Sequence, residues 1–130
     1  MMTTAQVPQL PHMKNVRLGQ QGEKMAKAAL KTHFTNVRSL NAIHHNAPFD
    51  YTGIDRVTGI RVGIEVKTVR KDTGKLVHIE APAMARKVTF LKETNRDAGV
   101  VLLIVKNGTT QFYLAPLKSH ISTGCLVEIK

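Results

Sequence analysis

The sequence predicts an α/β (α+β) fold: a central mixed β-sheet flanked by helices, in the order αβββαββ. Three observations predict it. Ile60, Val62, Ile64 and Val66 alternate with Arg61, Gly63, Glu65 and Lys67, the period of a strand with one apolar face. Ala26, Leu30 and Phe34 recur every four residues beside Met25 and Ala29, the stripe of a helix packed on a sheet. Val100 to Val105 is apolar throughout and rich in β-branched residues, as in a strand covered on both faces.

The remaining elements follow in chain order. Residues 1–16 show little periodicity and contain Pro8 and Pro11, which predicts a flexible arm ahead of a single domain over 17–130. A helix is expected from Gly19 to Phe34, with Glu23 near its buried stripe. An acid in a first turn also suits the helix dipole. Val37 to Ile43 reads as a short strand or an extended connection, and Asn41 to Pro48 as a loop carrying His44 and His45. A hairpin spans 48–67, with turn chemistry around Gly53 and Thr58-Gly59. Beyond a basic turn from Arg70 to Lys75, Leu76 to Glu80 reads as a third strand. Pro82 then suits the first turn of a helix to about Arg96, whose inner face is Met84, Val88 and Leu91. Gly99 is expected to end it. Asn107-Gly108 signals a tight hairpin, with Gln111 to Ala115 returning and Cys125 to Ile129 adding a last short strand.

Totals narrow the function. The 130 residues suffice for one core without covalent staples. Nineteen Lys and Arg against nine Asp and Glu give a net charge of +10, which points to a polyanion, nucleic acid before membrane. Cys125 is the sole cysteine, so no disulfide framework and no cysteine zinc site is expected, in keeping with a cytoplasmic setting. No apolar run reaches the length of a membrane span, and the N-terminus lacks a secretory pattern.

The chemistry gathers on the hairpin. Glu65 and Lys67 are two residues apart, so they project from the same strand face about 6–7 Å apart. If the hairpin pairs, Asp50 folds back towards Glu65. Two acids and a lysine there make a candidate metal-and-water site, since Mg²⁺ prefers hard oxygen donors. By periodicity alone, Glu65 and Lys67 also read as a surface ion pair, worth ~0–1 kcal/mol. Arg70, Lys71, Lys75, Arg86 and Lys87 are the candidate nucleic-acid contacts, directed at the backbone. Tyr51 and Tyr113 are the candidates for base stacking.

Pro48-Phe49-Asp50 followed by Ile64-Glu65-Val66-Lys67-Thr68 resembles the PD-(D/E)XK nuclease superfamily, with Glu23 in the place of the first-helix acid of its resolvase-like members. That resemblance implies a restriction-endonuclease-like core and a Mg²⁺- or Mn²⁺-dependent nuclease acting on DNA, with homodimers among the resolvases and Val100 to Cys125 as an edge for pairing. It implies metal ligation by Asp50, Glu65 and the carbonyl of Val66. Lys67 would assist the attacking water, Glu23 would support the ion or Lys67, and Gly63 would leave room for the nucleic-acid backbone. The same stretches, with Ala85-Arg86-Lys87, also resemble small phage-encoded nuclease modules, some grouped with ribonucleases. In that case cleavage of RNA would need no metal, and His44, His45, His78 and Lys67 would carry acid–base roles. A non-catalytic basic nucleic-acid-binding module is the third reading.

Overall fold

The computed structural model describes residues 26–40, 47–70, 77–121 and 127–129. Helix α1 covers residues 26–33 and buries Ala26 and Leu30 completely. The third member of its apolar stripe, Phe34, belongs instead to the next element: the chain turns directly into β1 (Phe34–Ser39), so the helical pattern runs on into a strand. Arg56 closes that helix end, donating through Nε and Nη2 to the Lys31 carbonyl at 3.1 and 2.8 Å. It thereby satisfies one of the carbonyls a helix terminus leaves open.

Strand β1 pairs antiparallel with β2 (Tyr51–Asp55), and β2 antiparallel with β3 (Arg61–Val69). A short β4 (Val77–His78) follows, then α2 (Ala81–Glu93) with proline in its first turn. Helix α2 is the crossover that lets β5 (Ala98–Asn107) lie parallel to β3. Strands β6 (Thr109–Pro116) and β8 (Val127–Ile129) extend the sheet antiparallel, giving the order β1-β2-β3-β5-β6-β8. Gly108, at φ 76°, makes the tight turn expected of Asn107-Gly108. Strand β7 (His120–Ile121) pairs with β4 in a separate two-stranded sheet.

The sheet separates two cores. On one face Val62, Ile64, Leu102 and Ile104 pack with Tyr51, Phe34 and α1. On the other, Val101 and Ala115 pack with Ile79, Ile121 and Met84 beneath α2. Residues Val101 to Val105 are all at most 1% exposed, as a doubly covered strand requires.

Three expectations are corrected. The span Leu76 to Glu80 does not supply a third strand of the main sheet: among its described residues Val77–His78 forms the strand, and it pairs with β7. The third strand on that side is β1. Helix α2 ends at Glu93, before Gly99, because Asn95 takes a left-handed conformation (φ 54°). The Asn95 and Arg96 amides bond back to Lys92 and Leu91, a Schellman-type stop with Asn in the usual place of Gly. Within the span from Val100 to Cys125, β5 and β6 offer no edge for pairing, since each has neighbours on both sides and the main sheet ends at β1 and β8. The arm over 1–16 and Cys125 lie outside the described residues.

Candidate active site

The site lies where β2 begins against the middle of β3. Tyr51 pairs with Ile64, which brings Asp50 alongside Glu65. At that point the Asp50 amide also bonds the Ile64 carbonyl at 3.0 Å, so two residues of one strand engage one of the other, as at a β-bulge. The Asp50 carboxylate reaches across: its Oδ2 accepts the Val66 N–H at 2.8 Å. A strand residue turns its N–H and C=O to the same edge, so the Val66 carbonyl faces the Asp50 side as well.

Pro48 and Phe49 explain why Asp50 stays there. The Phe49 ring is 1% exposed and lies across the paired glycines Gly63 and Gly99 of β3 and β5. A Cβ on Gly63 would come within 2.7 Å of two ring carbons. Phe90 of α2 packs on the ring from outside, its centroid 5.8 Å away. Gly63 therefore makes room for Phe49, not for a nucleic-acid backbone. Burying such a ring contributes about 2 kcal/mol, and it fixes the residue immediately before the carboxylate.

Glu65 accepts two lysines, one on each oxygen. Lys67 Nζ lies 3.4 Å from Oε2 and Lys87 Nζ 3.3 Å from Oε1. The Lys87 ammonium also donates to the Pro48 carbonyl and sits 5.1 Å from the centre of the Phe49 ring. Lys87 is 6% exposed. A charge buried this deeply is not placed to line a sugar-phosphate backbone, which corrects the expectation drawn from its position beside the apolar stripe of α2. The stripe itself had Lys87 on it.

Burial, and next the charge of Asp50, push the Glu65 carboxyl above its ordinary value, against the opposing pull of Lys87 and Lys67. The Glu65 carboxylate is thus not fully compensated by the two lysines. Their oxygens, with a backbone carbonyl on the same side, suit a hard divalent cation such as Mg²⁺. Among the described residues no group of three or more His, Cys, Asp or Glu converges on one point.

The other expected residues are placed as follows. Arg70 and Arg86 are exposed, Arg86 beside a hollow formed by Pro48, Phe90 and Glu93. Glu23, Lys71, Lys75, His44 and His45 lie outside the described residues. His78 faces His120 across the small sheet, Nδ1 to Nε2 at 3.0 Å. Asp55, at the far end of β2 and not among the expected residues, closes its own turn through Oδ1, accepting from the Val57 and Thr58 amides at 2.8 and 2.9 Å. Tyr51 is 5% exposed in the α1 core, so it is not available to stack on bases. Phe49 and the structural role of Lys87 escaped sequence reasoning. The signal for Phe49 was its place between Pro48 and Asp50, opposite a strand glycine.

No family model matches the sequence, and no curated protein matches it. The fold does have a counterpart among solved structures: Hjc, a Holliday junction resolvase from the archaeal hyperthermophile Archaeoglobus fulgidus. It superposes with a TM-score of 0.57 at 16% sequence identity, over 84% of this chain and 94% of that one. The chain has a resolvase-like, restriction-endonuclease-like core, and the resemblance to the PD-(D/E)XK nucleases drawn from Asp50 and Glu65-Val66-Lys67 holds at the level of fold.

Proposed function

We propose that the protein is a metal-dependent nuclease that hydrolyses phosphodiester bonds in DNA. The observation that supports this best is the meeting of Asp50, Glu65 and Lys67 on one end of the β2–β3 hairpin in a resolvase-like fold. Asp50, Glu65 and the Val66 carbonyl would hold Mg²⁺ or Mn²⁺. The bound ion would supply Lewis-acid polarisation of the phosphate and a water of lowered pKa.

The chain's own residues divide the rest of the work. Asp50 is oriented by the Val66 amide and by the buried Phe49 behind it. Glu65 is steadied on its inner oxygen by Lys87. Lys67, with a side chain 41% exposed, has the freedom to leave Glu65 and approach a substrate. Its ammonium can stabilise charge that builds on the scissile phosphate or orient the attacking water. Glu23 would act through water or through Lys67. Arg70, Arg86, Lys71 and Lys75 would meet backbone phosphates, so binding should weaken steeply with salt.

Purified protein should be incubated with Mg²⁺ or Mn²⁺ and with duplex, single-stranded and branched DNA, and separately with RNA. A branched substrate belongs in the set because the structural counterpart is a Holliday junction resolvase. Cleavage of at least one DNA form, abolished by EDTA, is expected. If every substrate survives, the proposal is wrong; cleavage of RNA that persists in EDTA would replace it with the metal-independent reading.

A further inference from the structure

Beyond the carboxylates, three arginines converge on a shallow depression on the same sheet face. Arg38 of β1, Arg61 of β3 and Arg96 after α2 line it, with Asn36, Thr52, Gly53 and Ile54. Arg61 and Glu65 are four residues apart, and period two puts them on one face about 13 Å apart along the strand. That is roughly four base-pair steps of 3.4 Å.

Two backbone irregularities deliver these side chains. The β1–β2 register shifts by one between Thr35 and Arg38, from Thr35↔Ile54 to Arg38↔Thr52. The inserted residue is Asn36, at φ 52°. Without that extra residue Val37 would pair with Thr52 and Arg38 would point into the α1 core. With it, Val37 packs on that core and Arg38 joins Thr52 on the other face. The second irregularity is Asn95, which ends α2 and turns the chain so that Arg96 comes down beside Arg61. Asn36 and Asn95 are the left-handed non-glycine residues of the described chain, and each stands one or two positions before an arginine of the cluster.

The cluster is electrostatically unfinished. None of the three guanidiniums is ion-paired with a described carboxylate. Asp97, the nearest acid in sequence, spends Oδ2 on the Arg61 backbone amide at 2.9 Å. Arg61 Nη2 reaches the Thr94 carbonyl at 3.5 Å. Arg96 Nε is buried and has no acceptor, an arrangement that proteins rarely leave unfilled. Burial, and then the charge of Arg61, hold Arg96 below its ordinary value.

We infer that Arg38, Arg61 and Arg96 form a phosphate-binding site, separate from the carboxylates, that grips one backbone phosphate of the DNA about four base pairs from the scissile bond. A phosphate oxygen supplies the acceptor that Arg96 Nε lacks and offsets three crowded positive charges. This rests on the nuclease reading for its substrate but not for its chemistry, because binding is measured without cleavage.

The test is duplex binding in EDTA, followed by fluorescence anisotropy across a salt series. The Arg38→Gln/Arg61→Gln/Arg96→Gln variant should show a slope of log K against log salt shallower by about 0.9, the loss of one phosphate contact. The Lys31→Gln variant, on the helix of the opposite face, should keep the wild-type slope. An unchanged slope in the triple variant overturns the inference, as does an equal fall in Lys31→Gln or failure of the wild type to bind duplex at all. In the wild-type protein, the NMR signal of the Arg96 Nε–H should shift when duplex is added; no shift overturns the site even where the triple variant does not fold. Binding with these signatures but no cleavage in Mg²⁺ would remove the nuclease reading and leave this site standing.

Discussion

Lys67 and Lys87 hold the same carboxylate under opposite conditions. Their Nζ atoms lie 3.4 and 3.3 Å from the two oxygens of Glu65, yet their side chains are 41% and 8% exposed. Lys87 is further committed to the Pro48 carbonyl and the Phe49 ring, so its charge is spent on building the turn that presents Asp50. Lys67 has solvent beside it and a single acid partner. Equal distances therefore carry unequal consequences: desolvation turns one pair into architecture and leaves the other available for chemistry.

The largest expected effect sits on the buried side. Lys87→Ala leaves Glu65 and the Pro48 carbonyl without their shared donor, and should cost about 3 kcal/mol in urea denaturation. A loss below about 1 kcal/mol would erase the distinction between the two lysines. Next comes the floor under Phe49. Gly63→Ala forces a methyl to within 2.7 Å of the ring and should cost about 2 kcal/mol by overpacking. Adding Phe49→Leu should recover part of that loss, since the two residues touch.

Lys67→Ala should invert the pattern. Its stability change should stay within about 1 kcal/mol, while Mg²⁺-dependent cleavage should fall at least about 100-fold. A smaller effect concerns pH. Because burial and Asp50 raise the Glu65 carboxyl, its contribution to folding is full below its unfolded value and is lost as pH rises through the folded one. A divalent ion favours the charged form, so the rise in Tm given by Mg²⁺ should grow over that interval. Glu65→Gln should flatten the growth; a Mg²⁺ effect independent of pH would show that Glu65 is not a ligand.

Much of this site could be read from residue order because the physics involved is local. Alternation from Ile60 to Val66 set which face of β3 carries Glu65 and Lys67, and the turn chemistry brought Asp50 back to it. Val100 to Val105 announced the central strand by composition. What stayed hidden depends on tertiary packing. Phe34 continues the helical stripe of Ala26 and Leu30, so the boundary between α1 and β1 left no mark in the pattern. Lys87 looked like a solvated flank because a buried ammonium needs partners from Pro48 and Phe49, 39 and 38 positions away. Arg38 was out of reach for another reason: a one-residue bulge at Asn36 decides its face, and nothing in the sequence declares that insertion. Leu76 to Glu80 carried strand composition, but its partner turned out to be β7.

The central claim is that Asp50, Glu65 and Lys67 form one metal-dependent hydrolytic centre. It is tested most directly by single-turnover cleavage of DNA with Mg²⁺, comparing the wild type with Asp50→Ala and Lys67→Ala in protein shown to be folded. Cleavage by the wild type, lost in EDTA and lost in both variants, is the predicted result. Full activity in either variant, or cleavage that continues in EDTA, would contradict it.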